Sequence, residues 1–239
     1  MVASKRRERA SVTVRLVLLS LGAVVMIVPF VYMLATSLKP NSLALEVPPD
    51  LVPNDPTIAN YRDAWNSNHF GRYFVNSLGV AVATTVVSVL LSAMMAYAFS
   101  RLRFPGRRLL FGLLLIGLMV PTMMLIVPQF LLAKQLSLLD SYLGLVVFYV
   151  GGTLALNTFL LRSFFQDIPA ELEEAMVVDG AGPWGRFWKL ILPLSRPALA
   201  TVGIFTFLAS WDEFIWALTI IIDPEKRTLP IALARFQAQ

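Results

Sequence analysis

The sequence predicts an all-α, polytopic membrane protein. Three observations predict it: an apolar composition, five long apolar runs, and basic residues gathered at the ends of those runs. Of 239 residues, 57% are hydrophobic and 15% charged, against roughly 45–50% and about 25% in soluble domains. Mean hydropathy is +0.69. The 13 glycines and 15 prolines follow no period, which excludes a fibrous protein, and the low polarity excludes a disordered one. With no cysteine there are no disulfides, thiolate metal sites or cysteine nucleophiles. The single histidine, His69, has no ligand-spaced companion, so neither a histidine zinc site nor a histidine-centred triad is available. The formal charge of +5 flanks apolar runs and forms no single stripe, which suits a membrane surface and not nucleic acid.

A helix needs roughly 20 apolar residues to cross a bilayer. Residues 1–15 form a basic N-terminal segment with Lys5, Arg6, Arg7, Arg9 and Arg15. The first run, 16–38, follows it in the manner of a signal sequence. It is longer than a typical signal core and lacks a small-x-small cleavage pattern before Lys39, so it reads as a retained helix. Residues 39–72 are rich in Pro and Asn and carry Glu46, Asp50, Asp55 and Asp63; they read as an extracytoplasmic loop, either a docking surface or a plain connector. The second and third spans are 73–99 and 109–132. Pro121 and Pro128 predict a kink or local loosening in the third. The fourth span, 142–161, contains Asn157, and the fifth covers 197–222. Residues 223–239 then form an extracytoplasmic C-terminal segment. Thirteen of the 20 lysines and arginines fall on one side when the N-terminus is placed in the cytoplasm, as the positive-inside rule requires.

The polar stretch 162–196, between the fourth and fifth spans, holds the most information. Asp167 and Pro169 sit where a helix start wants them, and Glu171, Glu173 and Glu174 complement the positive end of that helix. Asp179-Gly180-Ala181-Gly182 ends it, since glycine commonly follows a helix C-terminus. A second piece, Pro183 to Pro193, mixes Trp184, Phe187 and Trp188 with Arg186 and Lys189, a composition suited to the membrane interface.

Glu174-Ala175-Met176, Gly180 and Leu190-Ile191-Leu192-Pro193 resemble, in spacing and order, the EAA loop of ABC importer permeases, E-A-A-x3-G-x9-I-x-L-P. Met176 stands where that pattern has its second Ala and Leu190 where it has Ile; both keep an apolar contact. The resemblance implies a MetI-like ABC importer permease fold, with a coupling loop inserted into a groove on a cytoplasmic ATPase subunit. It assigns ATPase coupling to Glu174, Ala175, Met176, Asp179, Gly180 and Ala181. Further segments resemble carbohydrate-importer permeases of the MalG type: Ser37-Leu38-Lys39-Pro40, Phe74-Val75-Asn76-Ser77, the run from Ala96 to Arg101, Leu138 to Tyr142, Trp211-Asp212-Glu213-Phe214 and Arg227-Thr228-Leu229-Pro230. Such permeases normally carry a sixth span, so five spans lead to the expectation that this chain is one helix short.

The resemblance further implies a second permease subunit, two ATPase subunits, an extracytoplasmic solute-binding protein, a sugar substrate and the inner membrane of a prokaryote. No G-x-x-x-x-G-K-[ST] occurs, so no cofactor is expected on this chain, and ATP with magnesium belongs to the partner ATPase. Intramembrane charges tend to face cavities or partners. Asp212 and Glu213 lie roughly 22–24 Å along the fifth helix from Pro197. With Trp211 they form either a sugar-contacting group or a structural cluster at the interface. Asn157 is a further path candidate or an inter-helix hydrogen bond. Two readings stand beside the importer: an ion-coupled secondary transporter, which wants midplane charges and paired broken helices, and a truncated, non-transporting membrane subunit.

Overall fold

A computed structural model describes residues 2–40, 55–67 and 69–236, all of them helical or connecting, with no strand among the described residues. Glu46, Asp50, the side chains of Lys5, Arg6, Arg7 and Arg9, and residues 237–239 lie outside that description. The chain divides into two compact units, Met1–Phe70 and Gly71–Gln239.

In the first unit, α1 (Val2–Ser37) is apolar on nearly every side from Leu16 onward; its Val12–Ser37 stretch has a mean hydropathy of 2.5 and the length of a membrane span. Its C-terminal carbonyls would be orphaned in an apolar setting. The short α2 (Ala59–Ser67) supplies partners: Asn60 Nδ2 donates to the Ser37 carbonyl at 3.0 Å and the Lys39 carbonyl at 2.6 Å. The Thr57 N–H donates to the Leu38 carbonyl at 2.8 Å.

The second unit is a bundle around α3 (Phe70–Arg101), α6 (Tyr142–Asp167) and α10 (Arg196–Trp211). The buried stripe of α3 is built largely from small residues, Ser77, Ala81, Thr84, Ser88, Ser92, Ala93 and Ala96, at the three- and four-residue spacing of one helix face. Small side chains let helices approach closely where the surrounding lipid supplies no hydrophobic drive between them. Two apolar clusters follow. One, near the Tyr142 end of α6, joins Val80, Leu145, Tyr149, Trp216, Ile220 and Ile231. The other, near the Asp167 end, joins Tyr97, Leu161, Phe165, Phe187, Ile191 and Val202. Between them lies a polar layer in which Asn157 Nδ2 donates to Ser88 Oγ at 3.0 Å and Thr206 Oγ1 at 2.9 Å, linking all three helices.

Several elements depart from straight spans. The stretch expected at 109–132 is two pieces, α4 (Arg107–Ile116) and α5 (Ile126–Gln135), joined by 3₁₀ turns and bent by 95°. Val120 is extended and Pro121 has no N–H to carry the ladder across, so the break falls there. Pro128 lies in the first turn of α5, where the missing N–H costs nothing. The stretch at 197–222 likewise stops at Trp211, passes through Asp212–Phe214 without helix, and resumes as α11 (Ile215–Ile220). Asp167, expected at a helix start, is the last residue of α6, and Pro169 alone precedes α7 (Ala170–Val178).

Residues after 222 are tied back to the bundle. Asn76 Nδ2 donates to the Glu225 and Arg227 carbonyls at 2.8 and 3.0 Å, and the Leu229 N–H donates to Ser77 Oγ at 2.7 Å. Asp140 Oδ1 accepts from the Ile222 and Asp223 N–H groups at 3.0 and 2.9 Å, while its Oδ2 pairs with Lys226 Nζ at 2.9 Å. Those backbone bonds to Asp223 above all, then the Lys226 ammonium, hold the Asp140 carboxyl below its ordinary value; Asp140 in turn raises Lys226. The following helix, α12 (Leu229–Phe236), buries Leu229 and Ile231.

Candidate functional site

The 162–196 loop folds as a short helix, a glycine turn and a bent return. α7 ends in a left-handed residue, Gly180 at φ +81°, with the Ala181 N–H donating to the Met176 carbonyl at 2.8 Å and the Gly180 N–H to the Val177 carbonyl at 2.9 Å. This paired closure is the Schellman motif, which satisfies the last helix carbonyls and needs a residue tolerant of positive φ. The return runs through α8 (Pro183–Arg186), a π-turn over Phe187–Ile191 and α9 (Leu192–Leu194), then bends by 77° into α10. Pro193 cannot donate one turn back, and the ladder opens beside it into the wider turn. That turn drives Phe187 and Ile191, 1% and 0% exposed, into the core.

The six residues assigned to coupling fall on one outward surface. Glu174, Ala175, Asp179 and Gly180 are exposed, and Met176 and Ala181 half-buried. Val178 beside them is 87% exposed, with Val177 and Leu172 also uncovered. These apolar side chains form an uncovered patch next to acidic ones.

Adjacent Glu173 does the opposite. Only 7% exposed, it lies 3.4 Å from Arg101 Nε and 3.8 Å from Arg186 Nη1, and its Oε1 accepts from the Tyr97 hydroxyl at 3.3 Å. Arg101 also donates to the Phe165 and Ile168 carbonyls at the end of α6. One carboxylate thereby ties α7 to α3, to the return segment and, through Arg101, to α6. The sequence reading grouped Glu173 with the other two glutamates as complements of the helix dipole and did not see this clamp. A signal was present: Tyr97 and Arg101 stand four apart on one helix face, a phenol and a cation that need a buried acceptor.

At the other end of the bundle, Asn157, Trp211, Asp212 and Glu213 do not form one group. Asn157 is the inter-helix link described above. Trp211 is occupied by neighbours, stacked on Phe207 with centroids 5.7 Å apart and edge-on to Phe74 at 5.3 Å. Asp212 is exposed and closes α10. Glu213 turns inward: its carboxylate accepts from the Tyr149 hydroxyl at 2.5 Å and from the Trp216 and Ala217 N–H groups at 2.8 and 3.1 Å, bracing the start of α11. Glu213, Tyr149 and Trp216 line a cavity of about 260 Å³ with Gln129, Phe148 and Ser210. Tyr149, Trp216 and Gln129 had no distinguishing pattern in the sequence, because they come from three separate helices.

Residues 88–239 match the family model described as the inner membrane component of binding-protein-dependent transport systems. The chain belongs to this family: it is a membrane permease, not an enzyme, and the ATPase of such systems is a separate subunit. Family membership decides against the ion-coupled reading. The chain is 36% identical to the diacetylchitobiose uptake permease NgcG of Streptomyces coelicolor, over 98% of this chain and 77% of that one. It is 37% identical to the trehalose transport permease SugB of Mycobacterium tuberculosis, over 88% of this chain and 76% of that one. Among solved structures it superposes on a chain of a bacterial ABC transporter involved in import of the acidic polysaccharide alginate. That match has a TM-score of 0.85 and 28% identity, covering 96% of this chain and 81% of the other.

Proposed function

We propose that this chain is one of two permease subunits of a carbohydrate importer in a prokaryotic inner membrane, with its N-terminus in the cytoplasm. It works with two ATPase subunits and an extracytoplasmic solute-binding protein. The observation that carries this reading is the α7 surface: Glu174, Ala175, Asp179 and Gly180 exposed beside uncovered Val177 and Val178, on a base fixed by buried Glu173. ATP and magnesium bind the partner ATPase, and nucleotide-driven closure there supplies the energy. On this chain Ala175 permits close packing in the partner's groove, Glu174 meets a partner cation, and Met176 and Ala181 flank the contact. Displacement of α7 is passed by the Glu173–Arg101 pair to α3 and by the Phe187–Ile191 turn to α10. Chains related to this one carry names that specify diacetylchitobiose, trehalose and galactooligosaccharides, which supports a saccharide as cargo.

The test is co-purification with the neighbouring gene products, together with uptake of a panel of radiolabelled sugars by cells carrying wild-type protein or Glu174→Lys. Retention of an ATPase by the wild type and loss of uptake in the variant are expected. If no ATPase co-purifies and Glu174→Lys leaves uptake of every sugar unchanged, the proposal fails.

A further inference from the structure

The cavity between α5, α6, α10 and α11 has a chemistry that narrows the cargo. Resting on the importer reading above, we propose that it is a sugar subsite within this subunit, built for one neutral pyranose ring and closed to anionic sugars. The volume, about 260 Å³, falls below the roughly 300–1,000 Å³ of pockets that take drug-sized ligands, so one ring fits and an oligosaccharide does not.

Its polar groups are those a polyol needs. Trp216 is 5% exposed, and its Nε1–H, covered by protein in this conformation, has no hydrogen-bond partner among the described residues. An indole N–H can only donate, so a small turn of the ring toward the cavity gives it the acceptor it lacks, a sugar ring oxygen or hydroxyl. The Gln129 amide, half-buried in the lining, is likewise without a hydrogen bond among the described residues and both donates and accepts. Glu213 supplies the acceptor. Three protein donors hold its carboxylate in place, against about four lone-pair sites on a carboxylate, which leaves room for one sugar hydroxyl. Phe148, packed against Trp216 with centroids 4.6 Å apart, gives the apolar wall on which the C–H face of a pyranose rests.

The charge is one-sided. No lysine or arginine lines the cavity, and no cation lies within ion-pair distance of Glu213 among the described residues. A uronate or sugar phosphate would set a second negative charge against Glu213 in a weakly screened interior, where repulsion is far stronger than in water. A neutral ring meets no such barrier. Tyr149 stands seven residues into α6, roughly 10 Å from its Tyr142 end. In the N-terminus-inside topology this is the outer half of the membrane, where a sugar released by a binding protein enters.

The experiment uses a strain lacking the gene, complemented with wild type, Trp216→Phe or Gln129→Ala. Initial uptake is measured at saturating radiolabelled maltose, trehalose, galactose, glucuronate and sn-glycerol 3-phosphate, with membrane content checked by immunoblot and the complex purified from each strain. Expected are uptake of a neutral sugar only and a three- to tenfold slower rate in Trp216→Phe and in Gln129→Ala, each from one lost hydrogen bond. Neutral-sugar uptake at wild-type rate in both cavity variants overturns the subsite. So does loss of the second permease from the purified Trp216→Phe complex, which would make the cavity a subunit contact. Gene-dependent uptake confined to glucuronate or glycerol phosphate overturns the neutral class while leaving the importer reading intact. Uptake of no solute depending on the gene overturns the importer reading itself, and the subsite with it.

Discussion

Glu173 and Glu174 are neighbours in sequence with opposite surroundings, and the contrast gives a sharp expectation. Glu173→Gln keeps the side-chain volume and an oxygen for the Tyr97 hydroxyl but removes the charge facing Arg101 and Arg186. At an effective dielectric of about 20, ion pairs at these separations are worth roughly 4–5 kcal/mol each before desolvation. Most of that is offset by the cost of withdrawing the ions from water. The Arg186 side chain is still 21% exposed and partly screened, which discounts its share further. Arg101 keeps its bonds to the Phe165 and Ile168 carbonyls in the variant, so it is not left wholly unpaired. About 2 kcal/mol remains, which for a chain of this length lowers the thermal midpoint by roughly 4–8 °C. Glu174→Gln, exposed and unpaired among the described residues, is expected to move that midpoint by no more than about 1–2 °C while lowering uptake. Thermal unfolding of the purified protein in detergent, read beside uptake in cells, checks both. A Glu173→Gln protein as stable as wild type, or a Glu174→Gln protein as destabilised as expected for Glu173→Gln, refutes the division between brace and contact.

Three further outcomes follow from particular contacts. Gly144→Ala sets a Cβ into the Leu138 carbonyl oxygen, a backbone atom that cannot swing away, so the variant should lose more than about 3 kcal/mol and fail to accumulate in membranes on immunoblot. Gly180→Ala forces an alanine to the left-handed region at a cost of about 1–2 kcal/mol, with Gly180→Asn milder; limited proteolysis at the α7 turn should show faster cleavage in that order. Asp140→Asn keeps a residue that tolerates φ +52° and an oxygen for the Ile222 and Asp223 N–H groups, but it turns an amide toward Lys226. The Asp140 carboxyl is lowered in the folded protein, so its stabilisation is present above the ordinary value of 3.8 and fades as pH falls through the folded value. The Lys226 ammonium is raised, so its share is present below 10.5 and fades as pH rises through the folded value. The variant should therefore melt below wild type by a constant margin from pH 5 to 9, and the two midpoints should converge below about pH 4.

Composition and run length were enough to read a helical membrane protein, because burial in lipid leaves the backbone few alternatives to helix. They were not enough to read where helices break. A window average over the mostly apolar run at 109–132 passes over Pro121; the kink there was legible only from the proline's missing N–H, and its size, a 95° bend, was not. At Asp212–Phe214 no proline warns of the break. The turn there is held by Glu213 capping α11 and by the Tyr149 hydroxyl from α6, a contact 64 residues away in sequence. Local pattern carries no information about a partner at that distance.

The loop was more legible than the cavity for a related reason. Its glycine turn and its proline are set by local rules, positive φ at Gly180 and a missing donor at Pro193, and helix periodicity turns Glu173 and Glu174 about 100° apart. What the local rules left open was which of the two glutamates faces the protein. That choice depends on Arg101 and Arg186, which come from elements on either side of α7 in the chain. The same dependence separates Glu213 from Asp212. Both are acidic, adjacent and equally placed by sequence, yet only Glu213 meets three donors and a cavity, because the chain turns between α10 and α11 and aims one side chain inward. A charge inside a span marks a place to look, and its role follows only from the donors that surround it.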